Sequence, residues 1–185
     1  MRAWLTTGAA VLACCSFLVT HQARADDVFE GLGPELIGDE LTSVLENAEL
    51  ACYQDPADDS IRRCKPLEGS LDVLNGVPAL AEALFIDEEL AQVAVTFPEA
   101  RFADIRKMLG GRLGPPRDWS VTIRAGMSGA LKDEILLWET SDLTAVLQQY
   151  DRKLDRSSLT YGTPAALATL LRQIKSTPPG AMRDL

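Results

Sequence analysis

Cys52 and Cys64 are the only thiols this chain holds beyond its first 25 residues, and no histidine accompanies them, because His21, Cys14 and Cys15 all precede residue 26. Without an imidazole, residues 26–185 cannot build a Ser-His-Asp or Cys-His nucleophile, and they lack the commonest zinc ligand. The eleven residues between Cys52 and Cys64 rule out the C-x-x-C spacing of a redox-active pair. In an oxidising compartment an even pair reads instead as one structural disulfide tying the polar, turn-rich stretch between them. Gly126-Met127-Ser128-Gly129-Ala130 approaches a G-x-S-x-G nucleophile elbow, but Ala130 stands where glycine is needed and no base exists. It reads as a turn between strands. No catalytic residue, metal ligand or cofactor is assigned.

Carboxylates are the remaining chemical resource. Two of them could run glycoside hydrolysis without histidine. With 27 acidic residues, however, no pair has a claim over the others. Asp55, Asp58 and Asp59 lack the alternating ligands, central glycine and terminal glutamate of a calcium loop. Asp87, Glu88 and Glu89 read as a solvated turn. Trp119 and Trp138, on neighbouring predicted strands, are candidates for an aromatic ligand or partner surface, with Tyr150 and Tyr161 near strand ends as weaker members. Aromatics on alternating strand positions are more often core, and that reading is favoured for all four.

These residues follow an export-type pattern: Met1-Arg2, an uncharged apolar run over residues 3–20, and Ala23-Arg24-Ala25 followed by Asp26 and Asp27. The pattern predicts a signal peptide over residues 1–25, cut at an A-x-A site. A retained anchor is the first alternative, since the run approaches membrane-spanning length. Lipid attachment at Cys14, after Val11-Leu12-Ala13, is the second. Cleavage after Ala25 predicts no stable membrane insertion of the remainder. All 27 acidic residues and 16 of the 18 basic ones lie in residues 26–185, so the formal charge there is 16 minus 27, or −11. That charge opposes nucleic acid and anionic lipid heads and leaves room for a basic partner.

The organisation expected is a lead-in over residues 26–38, one α+β domain over 39–175 and a flexible tail over 176–185. Ile37, Leu41, Val44, Leu45 and Ala48 follow helical spacing, and that helix is expected to end near Cys52. Leu71, Val73 and Asn75-Gly76 predict a strand and tight turn. Residues 78–86 are helix-prone by Ala and Leu content, but the alternation of Val93, Val95 and Phe97 predicts a hairpin reversing at Asp87-Glu88-Glu89. Phe102, Ile105, Met108 and Leu109 form a helix expected to close at Gly110-Gly111. Strands are then expected at residues 119–123, 135–138, 143–150 and 158–161. A last helix opens at Thr163-Pro164 and carries Leu167, Leu170, Leu171 and Ile174 on one face. This order predicts an antiparallel sheet with helices packed over one face.

From Phe97 onward, the apolar strand, the Phe102, Ile105 and Leu109 helix, Leu113-Gly114-Pro115, the Trp138 strand, and Tyr150 with Leu154, Ser158, Leu159 and Tyr161 resemble small exported proteins of Gram-negative bacteria. A more distant resemblance is to the small helix-plus-sheet lipoprotein that assists outer-membrane barrel assembly, which is shorter and carries a lipid-attachment cysteine. Neither resemblance implies a catalytic residue. The function expected is a non-enzymatic periplasmic or secreted accessory protein. It would bind another envelope protein through its exposed sheet face or its disulfide loop. The alternatives are an inhibitor of a basic enzyme such as a lysozyme, and a histidine-free carboxylate hydrolase.

Overall fold

A computed structural model describes residues 32–47, 49–67, 76–124, 129–179 and 181–184. The leader with Cys14, Cys15 and His21 lies outside the described residues, as do the strand and turn expected over residues 71–75 and the Gly126-Met127-Ser128 turn. The architecture is α+β: an eight-stranded antiparallel sheet, a three-stranded sheet, three α-helices and the Cys52–Cys64 disulfide.

The main sheet contains β1 (Leu50–Asp55), β2 (Asp58–Pro66), β3 (Leu80–Ile86), β4 (Glu89–Pro98), β5 (Arg117–Asp118), β8 (Ile135–Glu139), β9 (Thr144–Gln148) and β10 (Arg156–Gly162). Their spatial order is β1-β2-β3-β4-β10-β9-β8-β5. The small sheet holds β6 (Val121–Arg124) between β7 (Ala130–Asp133), which is antiparallel to it, and β11 (Met182–Asp184), which is parallel. The helices are α1 (Leu41–Asn47), α2 (Phe102–Leu113) and α3 (Ala168–Ser176).

The β3–β4 hairpin forms as expected. Ala81, Ala83, Phe85, Val93, Val95 and Phe97 alternate onto one buried face. Asp87 and Glu88 turn the chain with φ of 53° and 66°, the left-handed pair of a type I′ reversal. Burial across a paired strand overrides the helix propensity of the Ala-Leu-Ala-Glu-Ala-Leu run.

Four expectations are corrected. The first helix ends at Asn47, and Cys52 lies on β1, directly opposite Cys64 on β2. The stretch between the cysteines is therefore a β-hairpin, with the ladder supplying the main-chain hydrogen bonds a loop would leave to water. Helix α2 runs through Gly110-Gly111 to Leu113, whose packing against the core repays the roughly 1 kcal/mol each helical glycine costs. It stops at Gly114, whose φ of 81° suits glycine, just before Pro115-Pro116. Of the strand expected over residues 119–123, only Val121–Ile123 forms, as part of β6; Trp119-Ser120 separates it from β5 in the other sheet, and there the Ser120 hydroxyl and N–H donate to Asp118 and hold its carboxyl below the usual range. Finally, the expected flexible tail contributes β11 to the small sheet, and the lead-in is buried at Leu32.

The helices α1 and α2 cover one face of the main sheet. Leu41 and Val44 of α1, and Phe102, Ile105 and Leu109 of α2, meet Phe85, Val95, Leu136, Trp138, Leu159 and Tyr161 there. Among the described residues, the opposite face is covered where β8 and β9 lie. There Ile135, Leu137 and Val146 pack with Val121 and Ile123 of the small sheet, Leu167, and Ile174 of α3. Gly162 permits this second layer to close, since a Cβ on it would stand 2.3 Å from the Ala91 carbonyl oxygen and 2.7 Å from Leu167 Cδ1. The covering stops short of β1–β4.

Candidate functional site

The aromatic residues singled out in the sequence do not form one surface. Trp138 is buried under α2, and its indole N–H donates to the Gly114 carbonyl at 2.8 Å. Trp119 is half-buried on the opposite side of the sheet, where its indole N–H donates to the Thr177 carbonyl at 3.1 Å. The sheet itself therefore separates the two rings. Tyr150 is half-buried against the second cluster, and burial, with Glu99 and Asp133 nearby, pushes its phenol upward. Tyr161 is fully buried, its hydroxyl donating to the Leu32 carbonyl and holding the segment before α1 to the sheet. All four belong to the packing of the two layers.

Tyr161 also links stability to pH. Burial, and secondarily Glu35, holds its phenol well above the ordinary value of 10.0, with Arg112 opposing. The native state thus keeps a proton that the unfolded chain gives up above about pH 10, so stability is intact below that value and falls above it. Tyr161→Phe is expected to lower stability by about 1–2 kcal/mol at neutral pH, because the Leu32 carbonyl loses its donor. It should also flatten the decline above pH 10. Urea unfolding at pH 8 and pH 11 checks both, and an unchanged alkaline slope would contradict the assignment.

The carboxylates between the cysteines have structural partners. Asp55 Oδ1 accepts the Ala57 N–H at 3.0 Å, and Asp58 Oδ1 accepts the Ser60 N–H and hydroxyl at 3.0 and 2.7 Å, so this acidic cluster shapes the β1–β2 turn. Among the described residues no group of three His, Cys, Asp or Glu is placed to hold a metal. Asp133, which the sequence analysis passed over, is fully buried at the end of β7. It accepts the Tyr150 N–H at 2.9 Å and the Gln148 side-chain amide at 3.0 Å.

What the structure does assemble is an open half-face. Across β1–β4 the rows Tyr53-Arg63-Leu84-Gln92 and Glu82-Ala94 lie on the face that α3 and the small sheet leave bare. A hollow of about 600 Å³ is lined here by Arg63, Lys65, Leu80, Glu82, Leu84 and Ala94, among others. Leu80 is 57% exposed and Tyr53 47%. Arg63 reaches Asp55 at 3.5 Å and Glu82 at 3.3 Å, Lys65 reaches Glu82 at 3.5 Å, and the Lys65 ammonium lies 6.0 Å from the Tyr53 ring centre. At the end of β3 and β4 the floor continues through Leu80 and Thr96 into a second hollow of about 350 Å³ beside Pro78, Pro98 and Arg156. Exposed apolar side chains are thus flanked here by partly compensated charges.

No family model and no curated protein matches this sequence. The chain is similar in structure to a cysteine-rich secretory protein from Staphylococcus aureus, with a TM-score of 0.42 and 13% identity. The overlap covers 72% of this chain and 45% of that one, so the match spans less than half the length of the staphylococcal protein. At that level the likeness carries no argument about function. Among the described residues no helix is long and apolar enough to cross a membrane.

Proposed function

We propose that this chain is exported to the cell envelope and works there as a non-enzymatic accessory protein, binding another envelope protein through the open half of its sheet. The observation that carries this reading is the face of β1–β4 left uncovered among the described residues, where Leu80 stands in solvent beside a hollow of about 600 Å³ and Tyr53 is exposed on the same face. A disulfide and the signal-like leader support export. The excess of acidic residues disfavours nucleic acid and anionic membrane surfaces as the partner.

The test is a crosslinked pull-down from the periplasm with protein whose N-terminus has been sequenced. The exported form should begin at Asp26. Leu80→Glu should lose the captured partner by about tenfold or more, as expected when a charge is placed at the centre of an apolar contact. Ala103→Glu, on the exposed side of α2, should retain it. Equal capture by both variants would remove the sheet face from consideration, and an N-terminus at Cys14 carrying lipid would overturn the soluble form.

A further inference from the structure

Cys52 and Cys64 face each other directly across the β1–β2 ladder, with Cα atoms 4.0 Å apart. That separation marks a non-hydrogen-bonded pair, whose main-chain N–H and C=O groups point away from the partner strand. Those of Cys52 therefore point outward from the sheet, because β1 is an edge. The two ends of the bridge have opposite surroundings. Cys52 is exposed, whereas Cys64 is 0% exposed and belongs to the main core. Thiol–disulfide exchange requires a thiolate to reach the sulfur it attacks. Only one of these sulfurs lies on an exposed residue.

Apart from its ladder with β2, the strand held by the bridge has little packing to hold it. Among the described residues, 51–54 are all exposed, β1 pairs with β2 alone, and Leu50 is its one side chain packed against the core. We propose that Cys52–Cys64 is a one-sided thiol-exchange site: a small external thiol attacks Cys52 Sγ, and cleavage frees the edge strand β1 while the remaining sheet stays folded. In the first step a thiolate forms a new S–S bond to Cys52 Sγ. The Cys52–Cys64 bond breaks, and its electron pair leaves on Cys64 Sγ, which takes a proton from water. A second thiolate then attacks the sulfur of the small molecule in the mixed disulfide. This expels Cys52 as a thiol and leaves the small thiol oxidised to its own disulfide. Freeing β1 also withdraws Asp55 from Arg63 and makes β2 the new sheet edge.

The test uses the full exported protein and glutathione without denaturant, quenched in acid and mapped by mass spectrometry. Hydrogen exchange is then followed on the fully reduced protein. The adduct is expected on Cys52 alone, with Cys64 recovered as a free thiol. Amides of β1 should exchange at least about tenfold faster after reduction while those of β3, β4 and β10 keep their protection, as for a local opening. The proposal is overturned by an adduct on Cys64 or equally on both residues, or by no adduct short of denaturing conditions. Unchanged protection in β1 would overturn it too, as would loss of protection throughout the sheet.

Discussion

Trp138→Ala lowers the folding stability of this protein by about 3–5 kcal/mol, the range for removing a large aromatic from a packed core. The indole is 5% exposed and lies in the cluster formed by α2 and the sheet. Its N–H also satisfies the Gly114 carbonyl at 2.8 Å, where α2 ends. Truncation therefore removes dispersion contacts, opens a cavity and leaves a carbonyl unpaired at a helix terminus. Trp138→Phe refills most of the space and should cost about 1–2 kcal/mol, dominated by the lost hydrogen bond. Denaturant unfolding of the two variants makes the comparison. Near-wild-type stability in the alanine variant would return Trp138 to the role of a surface platform.

Asp133→Ala should be the next most damaging change, at about 3 kcal/mol. The carboxylate is fully buried, and its hydrogen-bond donors include the Tyr150 N–H and the Gln148 amide. Bonds to a charged acceptor contribute about 1.5–3 kcal/mol each, and their loss leaves buried donors unpaired. Those bonds join the end of β7 to the segment leaving β9, so they tie the small sheet to the main one. Asp133→Asn keeps one acceptor and should cost roughly half as much. If Asp133→Ala unfolds at the wild-type urea concentration, the carboxylate contributes nothing to that join.

The α+β class, the β3–β4 hairpin and the disulfide were legible because each rests on a local signal: alternation at Val93, Val95 and Phe97, a turn at Asp87-Glu88, and a lone pair of cysteines. The second layer was less visible. Its signal was the unbroken apolar runs Ile135-Leu136-Leu137-Trp138 and Thr144-Ala145-Val146-Leu147, buried at every position because both faces of those strands are covered. Cys52 was placed near a helix end because Leu41, Val44 and Leu45 are helically spaced just upstream, and nothing local marks the switch at Leu50. Strand β11 carries almost no signal, since three residues pairing in parallel with β6 depend wholly on distant chain. An exposed sheet face follows from helices packed over the other side, but its extent and residues do not, for a related reason. Tyr53, Leu80 and Leu84 look like ordinary strand residues, and whether they are covered depends on where α3 and the small sheet come to rest.

The position of β10 has a consequence for the order in which the molecule can be completed. Residues 156–162 sit between β4 and β9 and, among the described residues, are the only strand joining β1–β4 to β8–β9. A chain emerging from the ribosome N-terminus first therefore offers two incomplete sheets with unpaired inner edges until almost its whole length has appeared. Each half lacks the strand that carries Leu159 and Tyr161 into the core. The sequential β1–β4 pairs can form early, but joining the two halves of the sheet waits on a strand near the C-terminus.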